Sequence, residues 1–301
     1  MSRVTVSVVI ATRDRRQLLS EAIATVLDQT FTDFELIVVD DASTDGTFEF
    51  VQSIEDSRVR ALRRSEHGER SAARNQGLAA ALGELVMFLD DDDLLRVDTL
   101  ASLVRALREN PHADAASGAC RVALPNGDSV RIYRPPHTHT RFIWRELLFG
   151  WWSNSGQNLF RTAAVRRVGG FDLTLTHCED RRLWLSIAWR APVCIVPTVA
   201  MDYRVHAGQR QPANIDEIRR GVFSAFIASL PDDRRREGRR IRRAADLVAE
   251  ADRLRAEGRF GRALATQLRA LTVAPGLFWS PLTARPLWWG LKKSLLRVSA
   301  P

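Results

Sequence analysis

Four consecutive carboxylates, Asp90-Asp91-Asp92-Asp93, close the apolar run Met87-Phe88-Leu89. Adjacent like charges repel, so such a run persists where water solvates it or a cation neutralises it. Taken alone, a solvated acidic loop, or a cap before the helical stripe Leu100, Leu103, Val104, Leu107, is the simpler account. The surroundings favour the cation. Leu85 to Leu89 has the make-up of a short buried strand, and open α/β sheets gather their ligands at the carboxyl ends of strands. A hard divalent ion on two carboxylates, with coordination positions left over, is what a diphosphate-bearing substrate needs. Further along, Gly169-Gly170-Phe171-Asp172 reads as a turn. Thr176-His177-Cys178-Glu179-Asp180 then opens a helix carrying Leu183, Trp184, Ile187 and Ala188.

The elements that must hold these groups are legible upstream. Val4, Val6, Val8, Val9 and Ile10 form a strand, and Leu18, Leu19, Ala22, Ile23, Val26 and Leu27 mark one face of a helix. A second strand, Phe34 to Val39, runs into the polar turn Asp40-Asp41-Ala42-Ser43-Thr44-Asp45-Gly46. Strand, helix, strand in this order is built right-handed and offers a nucleotide crevice at its loops. Neither strand is followed by Gly-x-Gly-x-x-Gly or by a Walker Gly-Lys-Ser/Thr, so the usual dinucleotide and P-loop readings lose support.

Four stretches in order, Val6–Asp14 (VSVVIATRD), Asp28–Thr47 (DQTFTDFELIVVDDASTDGT), Ala72–Gly77 (AARNQG) and Phe88–Asp93 (FLDDDD), resemble the nucleotide-sugar half of family 2 glycosyltransferases. The resemblance continues through Gly169–Asp172 and Glu179-Asp180 and covers about the first 210 residues. It implies a GT-A fold, an α/β architecture with a Rossmann-like mixed sheet, and inverting transfer of a sugar from a UDP- or dTDP-sugar to a glycan or lipid-linked acceptor hydroxyl, as in cell-surface polysaccharide synthesis. It also implies Mn2+ or Mg2+ as cofactor. By the same resemblance Asp41 accepts from the base N–H of uracil or thymine, Thr12 and Asp14 floor the nucleotide, and Arg74 and Asn75 position the donor. Of the acids, Asp92 is the direct metal ligand, with Asp90 or Asp91 toward ribose and metal-bound water. Every position in the run is Asp, so spacing cannot choose among registers, and Asp93 reads as a helix cap.

An inverting transfer needs one base on the acceptor side to take the hydroxyl proton, and Asp180 matches the family's base. Glu179 beside it points elsewhere on the helix, since neighbours do not share a face. Arg181-Arg182 replaces the Trp-Asp usual in relatives, which bears on the acceptor more than on the chemistry. His206, in Tyr203-Arg204-Val205-His206, stands where some relatives bring a histidine to the metal and diphosphate, although a lone histidine at a strand end is also a structural residue. For the acceptor the candidates are Glu179, His177 and Trp152, with Trp151, Asn154 and Gln157 as further lining. Aromatic faces stack on sugars and amides bond their hydroxyls, and core packing explains the two tryptophans equally well.

At 301 residues the chain can bury one large core plus a small appendage, which divides it into a GT-A domain over 1–230 and a basic linker, helical hairpin and Trp-rich tail over 231–301. Cys120, Cys178 and Cys194 are unpatterned thiols and point to a reducing compartment. Val4 to Ile10 is too short for a signal peptide and no run reaches the ~20 apolar residues of a membrane span, so the expectation is a cytoplasmic protein. Without a Gln-x-x-Arg-Trp motif, addition of one or a few sugars is favoured over processive synthesis. The net charge of +8 comes from arginines after Pro231, with no nucleic-acid module beside them, so no nucleic-acid partner is expected. Ala244 to Val273 reads as two amphipathic helices turning at Gly258 and Gly261. The tail beyond, with Trp279, Trp288, Trp289, Lys292 and Lys293, suits either contact with an anionic membrane at its inner face or packing on the domain. The alternative to an enzyme is a non-catalytic scaffold in a glycan-assembly complex, against which intact Asp41, Asp92 and Asp180 speak.

Overall fold

The structure, a computed structural model, describes residues 4–124, 129–135, 139–151, 153–206, 208–209 and 212–275. Trp152 and the tail from Leu277 onward lie outside them. The elements in chain order are β1 (Val6–Thr12), α1 (Arg16–Leu27), β2 (Phe34–Asp40), α2 (Thr47–Gln52), β3 (Val59–Arg63), α3 (Glu69–Ala80), β4 (Leu85–Asp90), β5 (Leu94–Leu95), α4 (Thr99–Glu109), β6 (Ala115–Ala123) and β7 (Ser129–Tyr133). There follow α5 (Trp144–Phe149), a 3-10 turn (Ser155–Gln157), β8 (Asn158–Arg161), α6 (Thr162–Arg167), α7 (Glu179–Ala188), β9 (Val193–Arg204), α8 (Ile215–Ser229), α9 (Asp232–Ala256) and α10 (Phe260–Val273).

One sheet, in the order β3-β2-β1-β4-β8-β6-β9-β5 with β7 beside β6, carries the site. Its first four strands run parallel, and β8 is antiparallel to both β4 and β6. β1, β2 and β4 are covered on both faces, which is why VSVVIAT and FELIVVD are near-continuous apolar runs rather than alternating ones. Val6, Val8 and Ile10 of β1 and Met87 and Leu89 of β4 pack with Leu19, Ile23 and Val26 of α1 and Leu100, Leu103 and Leu107 of α4. On the opposite face Phe88 meets Phe171 edge-on at 4.7 Å, and Phe160 lies 4.9 Å from Trp184 of α7. These contacts bring the turn at 169–172 and the start of α7 to the acid end of β4.

The chain divides into two compact units, 1–142 with 153–219, and 143–152 with 220–301. The sequence places the division at 230/231, yet the second unit takes in α5, a short helix whose Trp144, Leu147 and Leu148 are buried, and most of α8. Two expectations for this region change. The basic stretch from Arg234 to Arg243, read as a linker, is the first half of α9, because arginine is a good helix former and Ile241, Ala244, Ala245 and Val248 supply one buried face. The turn to α10 falls at Glu257–Arg259, with Gly258 at φ +77°, and Gly261 lies inside α10.

Candidate active site

The carboxyl ends of β1, β2 and β4 meet in one place. Thr12 Oγ1, at the end of β1, donates to Asp91 Oδ2 at 2.8 Å, so the floor and the acid run are joined directly. Asp14 adopts φ +50° and accepts from the Thr44 N–H at 2.7 Å, while its own N–H donates to Ser43 Oγ at 2.9 Å. These bonds tie the end of β1 to the 40–47 turn. Asp41 is buried in that turn, where it accepts the Gly68 N–H at 3.0 Å, lies 2.6 Å from His67 Nδ1 and forms an ion pair with Arg64, whose Nε stands 2.7 Å away. A carboxylate has about four lone-pair sites, so these contacts do not exhaust the acceptor capacity of Asp41.

Within the acid run the four aspartates part company. Asp90, Asp92 and Asp93 bring one carboxylate oxygen each to within 4.8 Å of one another. Asp91 is drawn out of that group by Thr12 and by Arg15 Nη1 at 3.0 Å. The same nitrogen donates to Asp92 Oδ2 at 2.9 Å, and His206 Nε2 stands 3.0 Å from that oxygen. Asp93 is a correction to the sequence reading. It is not a helix cap, since α4 starts six residues later behind Asp98. It is fully buried, accepts the Arg204 N–H at 3.2 Å, and leaves Oδ2 without a partner. Burial, then repulsion from Asp90 and Asp92, holds the Asp93 carboxyl well above the usual range. Burial, then Asp92, pushes Asp91 up to about 6 against the pull of Arg15 and Thr12. Burial and the same acids lift the Tyr203 phenol to about 12.

A divalent cation fits this group. Three converging carboxylates with one buried oxygen lacking any donor, and an imidazole at the rim, form a hard oxygen-rich donor set of the kind Mn2+ or Mg2+ takes.

Across from the acids, Arg74 on α3 is buried with its guanidinium forked between two carboxylates. Nη2 lies 2.5 Å from Asp90 Oδ1 and Nη1 lies 2.6 Å from Glu179 Oε1. The ring of Phe171 supports its face at 5.1 Å. Glu179 is thereby committed inward. Asp180, one residue on, is half-buried and accepts the Arg181 N–H at 2.7 Å. Burial, then the charge of Glu179, raises its carboxyl to about 7, with Arg74 and Arg181 pulling the other way. His177 touches Thr176 Oγ1 at 3.3 Å.

Asn75 is latched to the turn: its Nδ2 donates to the Phe171 carbonyl at 2.8 Å and its Oδ1 accepts the Phe171 N–H at 2.9 Å, and its second amide N–H and second lone pair remain for other contacts. The latch needs Gly170, which sits at φ +71° and whose missing Cβ would lie 2.5 Å from Asn75 Oδ1. Gly170→Ala is therefore expected to lower stability by about 2 kcal/mol, from left-handed strain plus two weakened hydrogen bonds. Urea denaturation measures it, and combination with Asn75→Ala should cost less than the sum of the two single changes.

The other acceptor residues from the sequence are not assembled there. Gln157 donates to the Gly118 carbonyl at 2.8 Å and accepts the Asn154 N–H at 3.0 Å, while Asn154 donates to Cys120 Sγ at 3.3 Å. These amides shape the entry to β8. Trp151 belongs to the second unit. Sequence reasoning missed Arg15 and His67 and read Asp93 as a cap. Arg15 had a signal in its place three residues past the end of β1.

A cation-competent acid cluster at the end of β4, a carboxyl held ready on α7 and this strand order define a GT-A fold with a helical C-terminal part. The S. aureus TarS 1–349 structure in complex with UDP-GlcNAc shares it, with TM-score 0.66 at 17% identity over 96% of this chain and 90% of that one. The chain belongs to glycosyl transferase family 2, whose model matches residues 7–172. A Bacillus subtilis relative, the putative teichuronic acid biosynthesis glycosyltransferase TuaG, is 35% identical over 45% of this chain and 54% of its own length. Escherichia coli WfgD, a UDP-Glc:alpha-D-GlcNAc-diphosphoundecaprenol beta-1,3-glucosyltransferase, is 29% identical over 60% of this chain and 69% of its own. The matched segment thus spans about half of the Bacillus relative.

Proposed function

We propose that this chain transfers a single sugar, with inversion, from a UDP- or dTDP-sugar to a hydroxyl of a lipid-linked or glycan acceptor. The observation that carries the reading is Asp180. A half-buried carboxyl raised to about 7 can take a proton near neutral pH, and it stands one residue from Glu179, which Arg74 ties to the acid cluster. Asp41 accepts from the pyrimidine N–H, and Thr12 and Asp14 keep the turn beneath the nucleotide in shape. Arg74 holds Asp90 toward the donor. Asp92, with Asp90, Asp93 and His206, would hold Mn2+ or Mg2+, which supplies charge neutralisation for a departing diphosphate. WfgD, by its name, acts on a diphosphoundecaprenol-linked sugar, and this supports an acceptor of the same kind here.

The test of the donor site is a calorimetric titration of UDP with and without Mn2+. Wild-type protein should bind UDP more tightly with the ion present. In Asp92→Asn that gain should vanish while the melting temperature holds, and an undiminished gain would reassign the ligand.

A further inference from the structure

The described part of the helical unit from residue 220 onward carries thirteen arginines and no lysine against seven carboxylates. Seven of those arginines fall within the first twelve residues of α9. That placement is unfavourable for the helix, because cations sit badly at its positive end and like charges three or four residues apart repel. Local acids absorb only part of it. Arg234 pairs with Asp233 and Glu237, Arg235 with Asp232, and Arg242 with Asp246. Arg240 is exposed and spends Nε on the Val273 carbonyl. Arg236, Arg239 and Arg243 are exposed and have no carboxylate partner among the described residues.

Their spacing puts Arg236, Arg239 and Arg243 on one face of α9, turned away from the buried Ile241, Ala244, Ala245 and Val248. The stripe covers about 10 Å of helix, with Arg240 at its border. Guanidinium groups suit phosphate, which they hold by paired N–H bonds, better than they suit diffuse charge. No aromatic side chain is interleaved among residues 232–259 to stack on bases, so a nucleic acid is the poorer fit.

We propose that the Arg236-Arg239-Arg243 face of α9 is a docking surface for the phosphate headgroups of an anionic phospholipid membrane. The three arginines precede the tail beyond Leu277 in sequence and include no residue of the proposed site, so the proposal stands or falls independently of the proposed transfer reaction. A protein that works on lipid-borne acceptors gains from it by searching a surface rather than a volume.

The experiment is flotation of the full chain with vesicles of phosphatidylglycerol and phosphatidylcholine, against vesicles of phosphatidylcholine alone, at low and at high salt. The wild type should float with the anionic vesicles only, and less at high salt. The triple variant R236E/R239E/R243E should partition at least ~100-fold more weakly, since each surface cation contributes roughly a factor of five near such a membrane. The triple lysine variant should keep most of the binding. Helix content and UDP affinity should be unchanged in both, because the three side chains are exposed. Flotation of the glutamate variant like wild type overturns the proposal. So does failure of the wild type to float, equal flotation with neutral vesicles, or release of the protein from vesicles by equimolar single-stranded RNA.

Discussion

Asp180→Asn is expected to lower sugar transfer at least ~100-fold while UDP affinity stays at the wild-type value, the usual scale on which a general base is lost. The amide keeps the shape and the bond from the Arg181 N–H, and loses only the capacity to take a proton. The carboxyl titrates near 7, raised by burial and by Glu179, so wild-type kcat/KM should fall as pH drops through about 7, and the residual rate of the variant should not follow that limb. Stability should move the other way. A carboxyl whose folded pKa lies above its unfolded value binds more protons in the native state, so its ionisation destabilises the fold as pH rises from the unfolded value through 7. Asp180→Asn should therefore melt no lower than wild type at pH 8. Transfer near the wild-type rate would move the base to another residue, Glu179 or His177.

The second large effect concerns Arg74. Arg74→Met deletes a buried cation that two carboxylates share, and Glu179 is left almost wholly buried with no comparable partner. Removing one side of a buried ion pair typically costs about 3–5 kcal/mol. The expected result is a fall in melting temperature on the order of 10 °C for a unit of this size. Arg74→Lys should rescue little, because one ammonium cannot fork to Asp90 and Glu179 as the guanidinium does. Urea melts decide it, and a variant as stable as wild type would show the network to be energetically idle.

How much of this could be read in advance divides along physical lines. Strands buried on both faces announce themselves by unbroken apolar runs, and β1, β2 and β4 stand where those runs lie, though β1 extends to Thr12. The acids at the end of β4 were legible as a group and illegible one by one. Four identical residues carry no register, and only the groups that reach them from β1, α3 and β9 distinguish Asp91 from its neighbours. Those partners are 16 to 111 residues away in sequence, and the Arg74–Glu179 and Asn75–Phe171 pairs leave no local pattern at all. α9 illustrates the opposite error. Its arginines resemble a linker by composition, while the apolar positions between them have helical period.

Arg74 also bears on how members of this family can be recombined. One guanidinium belongs both to the acid end of β4 and to the first turn of α7, so the portions of the chain before and after this join are not interchangeable cassettes. A chimera joined anywhere between residues 90 and 179 takes its arginine and Asp90 from one parent and its glutamate from the other. It inherits either a matched trio or a stranded buried charge, and sequence identity elsewhere in the two parents does nothing to correct the mismatch.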